Sequence, residues 1–411
     1  MDKKNDILII GGGLVGASLA CALENLGLRI TIVESTPFDS QAQPSFDERT
    51  IAITWSSRQI FEAIGVWQEI VSTAHPINRI HVSEKGHPGL TQLDCSLINV
   101  EALGYVIPTR SIGKALFDRL KQSYSVQILT PANAKDVHAT VDSVVVNCDT
   151  VTNPLSASLL VLADGGRSPI SSIIGATRNE KKYHENIMIT RIDSNKNHDG
   201  MAFERFSEHG PIALLPIGDT SFSVAWTLPK ERSEAYMGFS DGELLLSLQK
   251  QFGFRAGEFT SIGTRKIYPL ARTYVKPPST HRTVLIGNAA HEVHPVAGQG
   301  FNLGLSDVAE LAELIANATQ NKTDIGHYSI IDSYIKNRAN QTKRVIAFTD
   351  GLINMFDFSF PGAGLFRSIG LTTIDMMPSI KRALLLRTTG LSGEKNRLLR
   401  GIPLALNQDL T

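Results

Sequence analysis

The chain opens on a short run, Asp6-Ile7-Leu8-Ile9-Ile10, whose apolar residues do not alternate with polar ones. That pattern suits a parallel strand buried on both faces. Alanine-rich helical spacing follows from Leu14 to Leu26, then a second strand-like run from Ile30 to Val33, so this segment predicts a β-α-β unit. Helical spacing returns at Ser56–Ile64 and Ile112–Leu120, and the pattern is short and strand-like between Asn78 and Asp94. Val141–Asn147 and Ser158–Ala163 read as further strands. From about Lys181 to Tyr268 strand-like runs dominate, notably Ala202–Phe206, Pro211–Ile217 and Ser221–Thr227. Thr283-Val284-Leu285-Ile286 is another buried strand, a helix follows at Leu303–Ala318, and the pattern then stays helical to the end with breaks at Pro361 and Pro378. Strand-rich inserts between β-α-β parts imply that one domain interrupts another.

The joints between these elements carry the candidate chemistry. Gly11-Gly12-Gly13-Leu14-Val15-Gly16 lies between the first strand and its helix and satisfies G-x-G-x-x-G. Gly11 permits the tight turn, Gly13 lets backbone approach a pyrophosphate, and Gly16 allows close helix–strand packing. Glu34 ends the next strand, where a carboxylate takes the adenosine ribose hydroxyls and repels a 2′-phosphate; this fits FAD or NAD. The segment Gly287 to Gly304 reads as strand end, glycine turn and helix N-terminus. Glycines at 298, 300 and 304 allow close approach of a ligand, and a helix start favours a group that gains negative charge. A third strand, Leu159 to Ala163, ends in Asp164-Gly165, which is either a simple turn or another ligand loop. An open parallel sheet binds ligands at the carboxyl ends of its strands, so three such loops can converge on one extended cofactor.

Composition narrows the classes. At 411 residues the chain has room for two or three domains, and its 40 basic and 40 acidic residues leave no global field for nucleic acid or an anionic membrane. Cys21, Cys95 and Cys148 lack metal or redox spacing and indicate a reducing compartment without a metal site. Lys3 and Lys4 before the charge-free run Ile7–Leu23 imitate a secretory signal, but the glycines interrupt it and Arg29–Glu34 completes a folded unit. No other run approaches the roughly 20 apolar residues of a membrane span, so a cytoplasmic location is expected.

Together, Gly11–Gly16 with Glu34, Ala163-Asp164-Gly165, and Gly287-Asn288 followed by His294-Pro295 resemble the flavoprotein aromatic hydroxylases of the p-hydroxybenzoate hydroxylase fold. Four stretches sharpen the resemblance to the ubiquinone-biosynthesis hydroxylases. These are the segment from Asp47 to Ile53, Ala202–Phe206 with His209-Gly210-Pro211, Tyr268-Pro269-Leu270, and His281 to Ala290. The resemblance implies an α/β (α+β) chain, with a Rossmann-like FAD-binding domain (1–75, 97–180 and 270–330) interrupted by a β-sheet substrate domain (76–96 and 181–269) and followed by a C-terminal helical region (331–411). It implies FAD contacts at Gly11, Gly13, Gly16, Glu34, Arg49, Arg110, Asp164, Gly287, Asn288, Pro295, Gly298, Gln299, Gly300, Phe301 and Asn302. Read from residue type alone, Arg110 is equally a surface charge at a helix start that Ser111 caps, and Arg49 an exposed partner of Asp47 or Glu48. Two positions depart from the wider family: Asn288 stands where Asp is usual, and Ser171 where an arginine often follows the Asp-Gly motif.

The implied reaction uses NAD(P)H to reduce FAD and O2 as cosubstrate, passing through a flavin C4a-hydroperoxide that hydroxylates a polyprenyl-methoxyphenol ring. His294 is the candidate for proton traffic, its alternative being a structural histidine. Phe206 and Tyr268 are candidates to face the substrate, and Phe203, Phe222 and Trp226 either extend an apolar wall or belong to ordinary core. An isoprenoid tail gains roughly 0.8 kcal/mol per buried CH₂, so it needs an apolar groove, a membrane or a carrier. Leu352 to Met377, with Met355, Phe356, Phe358, Phe360, Leu365, Phe366, Ile369 and Leu371, reads as helices covering the flavin domain; the alternative is a surface for the inner membrane or a biosynthetic complex. Other readings stay open: a sister hydroxylase acting at another ring position, a flavin reductase, or a flavin-binding scaffold subunit.

Overall fold

A computed structural model of the chain describes residues 5–38, 43, 49–276, 282–292, 299–357, 362–392 and 396–404. Parallel strands Val126–Leu129, Ile30–Val33, Asn5–Ile10, Leu155–Leu162 and Thr283–Leu285 lie side by side in that order. A hairpin, Ala134–Ala139 with Val144–Cys148, runs antiparallel along the first half of Leu155–Leu162. The central strand is sealed on both faces, which is why its apolar residues do not alternate. Helices Leu14–Leu23, Thr109–Gln122 and Gln299–Gln320 pack on one face, and the hairpin and the short helix Ile170–Ile173 cover the other. Helix Leu14–Leu23 is buried almost all round, and its Gly16, Ala17 and Ala20 let it lie close to its neighbours.

A second, nine-stranded sheet forms the other layer. From one edge it runs His291–Glu292, Lys266–Lys276, Thr177–Ser194, Ser221–Pro229, Gly210–Ile217, Met201–Ser207, Arg79–Glu84 and Leu90–Asp94, with Phe259–Ile262 also beside Thr177–Ser194. Its side chains alternate between two faces. Met188, Phe203, Ile212, Leu214, Phe222, Val224 and Trp226 bury one face under helices Lys230–Met237 and Asp241–Phe252. These helices correct the expectation of a strand-dominated stretch from Lys181 to Tyr268. The second carried a readable start, because Ser240 and Glu243 form a reciprocal capping box and Leu244, Leu248 and Phe252 make a buried stripe. Strands Thr177–Ser194 and Lys266–Lys276 also run across the expected boundaries at 180 and 270. A small sheet, Thr50–Thr54, Gly104–Pro108 and His75–Ile77, bridges the two layers.

The C-terminal helices divide their attention. Tyr328–Asp357 packs on Gln299–Gln320, but Ala363–Met376 lies on strands Arg79–Glu84 and Leu90–Asp94 of the second sheet rather than over the parallel sheet, where a cover for the flavin domain was expected. Polar bonds fix it there. Ser368 Oγ accepts from the Gly89 N–H at 2.7 Å, Thr91 donates to the Leu371 carbonyl at 2.6 Å, and Arg367 makes a two-pronged pair with Glu84. Pro378 does more than break the pattern, since it opens helix Pro378–Thr388. Among the described residues no helix is long and apolar enough to cross a membrane.

Candidate active site

The carboxyl ends of four parallel strands meet at one cavity of about 1060 Å³, which Gly11, Gly13, Glu34, Asp164, Gly287 and Asn288 all line. Gly11 has φ +103°, and a Cβ there would lie 2.6 Å from the Ala163 carbonyl oxygen, so the first and third loops touch only through glycine. A Cβ at Gly16 would lie 2.0 Å from the Gly11 carbonyl oxygen, which fixes helix against turn. Gly13 is the N-cap of helix Leu14–Leu23, with no side-chain cap and no acid in the first turn. The uncapped N–H groups face the cavity side and suit a pyrophosphate. Glu34, buried at the end of its strand, accepts from the Gly12 N–H at 2.7 Å and the Thr36 N–H at 2.9 Å. Its carboxylate thus stands against the glycine loop with lone pairs left for hydroxyl donors. Asp164 accepts from Gly166 N–H at 2.9 Å and Ser168 N–H at 2.8 Å, so it shapes its own turn while lining the cavity.

The second end of the site rests on a buried ionic network that pattern reading did not find. Asp307, on helix Gln299–Gln320, accepts from the Gly287 N–H at 2.8 Å, contacts His291 Nε2 at 2.7 Å and accepts from Arg338 Nε at 2.6 Å. Burial works to raise the Asp307 pKa, but His291, Arg338 and these hydrogen bonds outweigh it and hold the carboxyl below its ordinary value. Tyr334 adds a hydrogen bond to the Leu285 carbonyl at 3.1 Å. Gly287, at φ +58°, and Gly304 both press on Val15, so the last strand's turn, the first helix and the long helix interlock. The available signal was a lone acid, Asp307, between Leu305 and Val308 on an otherwise apolar helix face.

Gln299, Gly300, Phe301 and Asn302 form the first turn of that long helix and line the cavity. Asn302 also clamps the bridging sheet: its Oδ1 accepts from Thr54 N–H and Ser57 Oγ at 2.8 and 2.7 Å, and its Nδ2 donates to the Ala52 carbonyl at 3.0 Å. His294, Pro295 and Gly298 lie outside the described residues. Arg49 lines the cavity with its guanidinium 5.5 Å from the Tyr268 ring centre. Arg110 stands apart, lining with Arg49 a neighbouring pocket of about 540 Å³. Its helix starts at Thr109 behind Pro108, so Ser111 sits inside the first turn and is not the cap. Phe206 and Tyr268 line the cavity, Phe222 and Trp226 belong to the core on the sheet's other face, and Phe203 lines the cavity while also joining that core. The two expected arrangements of these aromatics are therefore both present, with Phe203 taking part in each.

Parallel strands, a glycine loop at an uncapped helix start, a carboxylate at the next strand's end and a second sheet over the same cavity define a dinucleotide-binding fold. The fold is that of p-nitrophenol 4-monooxygenase PnpA from Pseudomonas putida, at a TM-score of 0.78 over 96% of this chain and 100% of that one, with 17% identity. Residues 4–349 match the family described as FAD binding domain, and the chain belongs to that family of flavoprotein monooxygenases. It is 30% identical to the ubiquinone hydroxylase UbiL of Rhodospirillum rubrum over 98% of this chain and 94% of that relative. It is 26% identical to the 3-demethoxyubiquinol 3-hydroxylase of Escherichia coli over 95% of this chain and 100% of the relative.

Proposed function

We propose that the chain uses FAD, NAD(P)H and O2 to hydroxylate the ring of a polyprenyl phenol on the route to ubiquinone. The observation that carries this reading is the continuity of one cavity between the dinucleotide loops and an apolar wall. Ile187, Ile189, Ala202, Phe206, Ala213 and Leu215 of the second sheet form that wall, and Leu371, Ile374 and Leu384 of the C-terminal helices extend it. An apolar ring and its isoprenoid tail find there a surface that excludes water. Bound FAD would supply the redox chemistry, taking hydride from NAD(P)H and delivering an electrophilic oxygen from O2.

The remaining work falls to the protein. The N–H groups of Gly13 and the helix start hold the pyrophosphate, Glu34 the ribose, and Asp164 and Asn288 the middle of the cofactor. The first turn at Gln299–Asn302 offers N–H groups to negative charge on the ring system. Arg49 and Arg110 stand where a nucleotide's charge could be met from the neighbouring pocket. We further infer that the C-terminal helices rest on a membrane surface, from which an insoluble substrate enters. Leu365, Phe366, Ile369 and Met376 are 60%, 67%, 55% and 78% exposed on a helix whose other side walls the cavity.

The purified protein should show a bound flavin spectrum and convert a short-chain 2-prenyl-6-methoxyphenol to a hydroxylated product, with NAD(P)H oxidised in step. Product identification assigns the ring position. Flavin binding with no hydroxylated prenyl phenol or quinol would sink the reading.

A further inference from the structure

One carboxyl group in the cavity has no partner of its own. On strand Met201–Ser207, Ala202, Phe203, Glu204 and Phe206 all line the cavity, and the Phe203 ring also joins the aromatic core with Phe222 and Phe252. Strand register sets Glu204 between Val82 and Ala213 and continues the same row through Ala225 to Ile189 on one side and Thr91 on the other. All of these line the cavity, and the two alanines leave room beside the carboxyl. Among the described residues no hydrogen bond or ion pair engages the Glu204 carboxyl. An unpaired carboxylate in apolar surroundings is costly and is retained where a ligand completes it.

We propose that Glu204 is a catalytic residue that accepts the proton of the substrate's ring hydroxyl, an assignment that rests on the polyprenyl phenol reading above. The phenol O–H bond breaks, a carboxyl O–H bond forms, and the electron pair stays on the ring oxygen. No electrons are gained or lost in this step, but density rises at the ring carbons ortho and para to that oxygen, where oxygen insertion needs it. After insertion the carboxyl returns its proton to the ring oxygen while the hydroxylated carbon releases its hydrogen as a proton to solvent. The aromatic ring and the free carboxylate are both restored.

The electrostatics suit the role. Burial among apolar groups pushes the Glu204 carboxyl up to about 7, with no charged neighbour contributing. That narrows the gap to a phenol near 10 and suits a general base at neutral pH. On the wall itself Tyr268 is the other titratable side chain; Glu34, Arg49, Lys135, Asp164, Arg167 and Glu292 share the cavity from the loops and strands around its dinucleotide end.

The test compares the full-length, FAD-loaded wild type with Glu204→Gln and Glu204→Asp. Substrate is a short-chain 2-prenyl-6-methoxyphenol, with its methyl ether as a control for binding. Wild-type kcat should rise with pH through about 7, the value to which the carboxyl is pushed. Glu204→Gln should lower kcat by about 10²-fold, leave KM within a few-fold and abolish that rise, as expected for loss of a general base. Glu204→Asp should keep the rise. In the oxidised protein without NAD(P)H, wild type should favour phenol over methyl ether more strongly as pH increases, and Glu204→Gln should show a constant preference. Flavin absorbance and the unfolding temperature establish that each variant is folded and loaded. A folded Glu204→Gln with the wild-type pH profile and binding preference overturns the proposal. If wild type itself hydroxylates no prenyl phenol, the functional reading fails, and the binding comparison still decides whether Glu204 meets a phenolic hydroxyl.

Discussion

Two acids, Glu204 on the cavity wall and Asp307 in the interior, respond to their surroundings in opposite directions, and each makes a measurable difference. Glu204 has its folded-state pKa raised from 4.5 to about 7. Between those values the folded chain holds a proton that the unfolded chain has released, so stability is full at low pH and declines as pH rises through the window. The loss is on the order of 3 kcal/mol. Glu204→Gln, neutral throughout, should remove this decline and raise the unfolding temperature above pH 7; thermal unfolding across pH checks it. Asp307 is the reverse case, since its carboxylate pairs with Arg338 and meets His291 Nε2 in the interior. Asp307→Asn leaves the buried Arg338 guanidinium without its counter-charge and disturbs the acceptor of the Gly287 N–H. A cost of about 3–5 kcal/mol is expected, with weaker FAD retention, read from the unfolding temperature and from flavin released on dilution.

At the scale of elements, strands were easier to read than short helices. Doubly apolar runs such as Ile7–Ile10 and Leu159–Leu162 gave their strands directly, because a strand covered on both faces has no polar alternation to confuse. Helix Lys230–Met237 was hidden for the opposite reason, as it buries only Ser233 and Tyr236 and shows almost no apolar periodicity. Helix Ala363–Met376 was read as helix but placed over the flavin domain, since its actual docking depends on Ser368, Arg367 and Asp375 finding partners some 280 residues away. Its outward face now carries a prediction. Replacing Leu365, Phe366 and Ile369 together by Glu should abolish flotation with anionic liposomes while leaving the flavin spectrum unchanged, because these side chains are exposed and line no part of the cavity. Unchanged flotation would argue against a lipid-facing helix.

For the whole molecule, the glycine loops and Glu34 were legible because their chemistry is local in sequence. Glu204 was not, since Glu-Arg beside two phenylalanines looks like a solvated edge until register turns one residue of the pair inward and the other toward Ser83. The Asp307 network was likewise invisible, as it joins Gly287, His291 and Arg338 only after helices 299–320 and 328–357 have packed.

The parallel sheet takes its fifth strand, Thr283–Leu285, from a point far beyond its fourth, Leu155–Leu162, after the chain has traversed most of the second sheet. Such separation gives the fold a high contact order and delays closure of the cofactor site. During synthesis, the first glycine loop emerges early, the turn at Gly287 and the helix start at Gln299 far later, and Leu371, Ile374 and Leu384 of the C-terminal helices later still. A fragment ending at residue 276 should therefore fail to retain FAD, as gel filtration with flavin fluorescence will report. Closure of that cavity is thus a late event in the making of this chain.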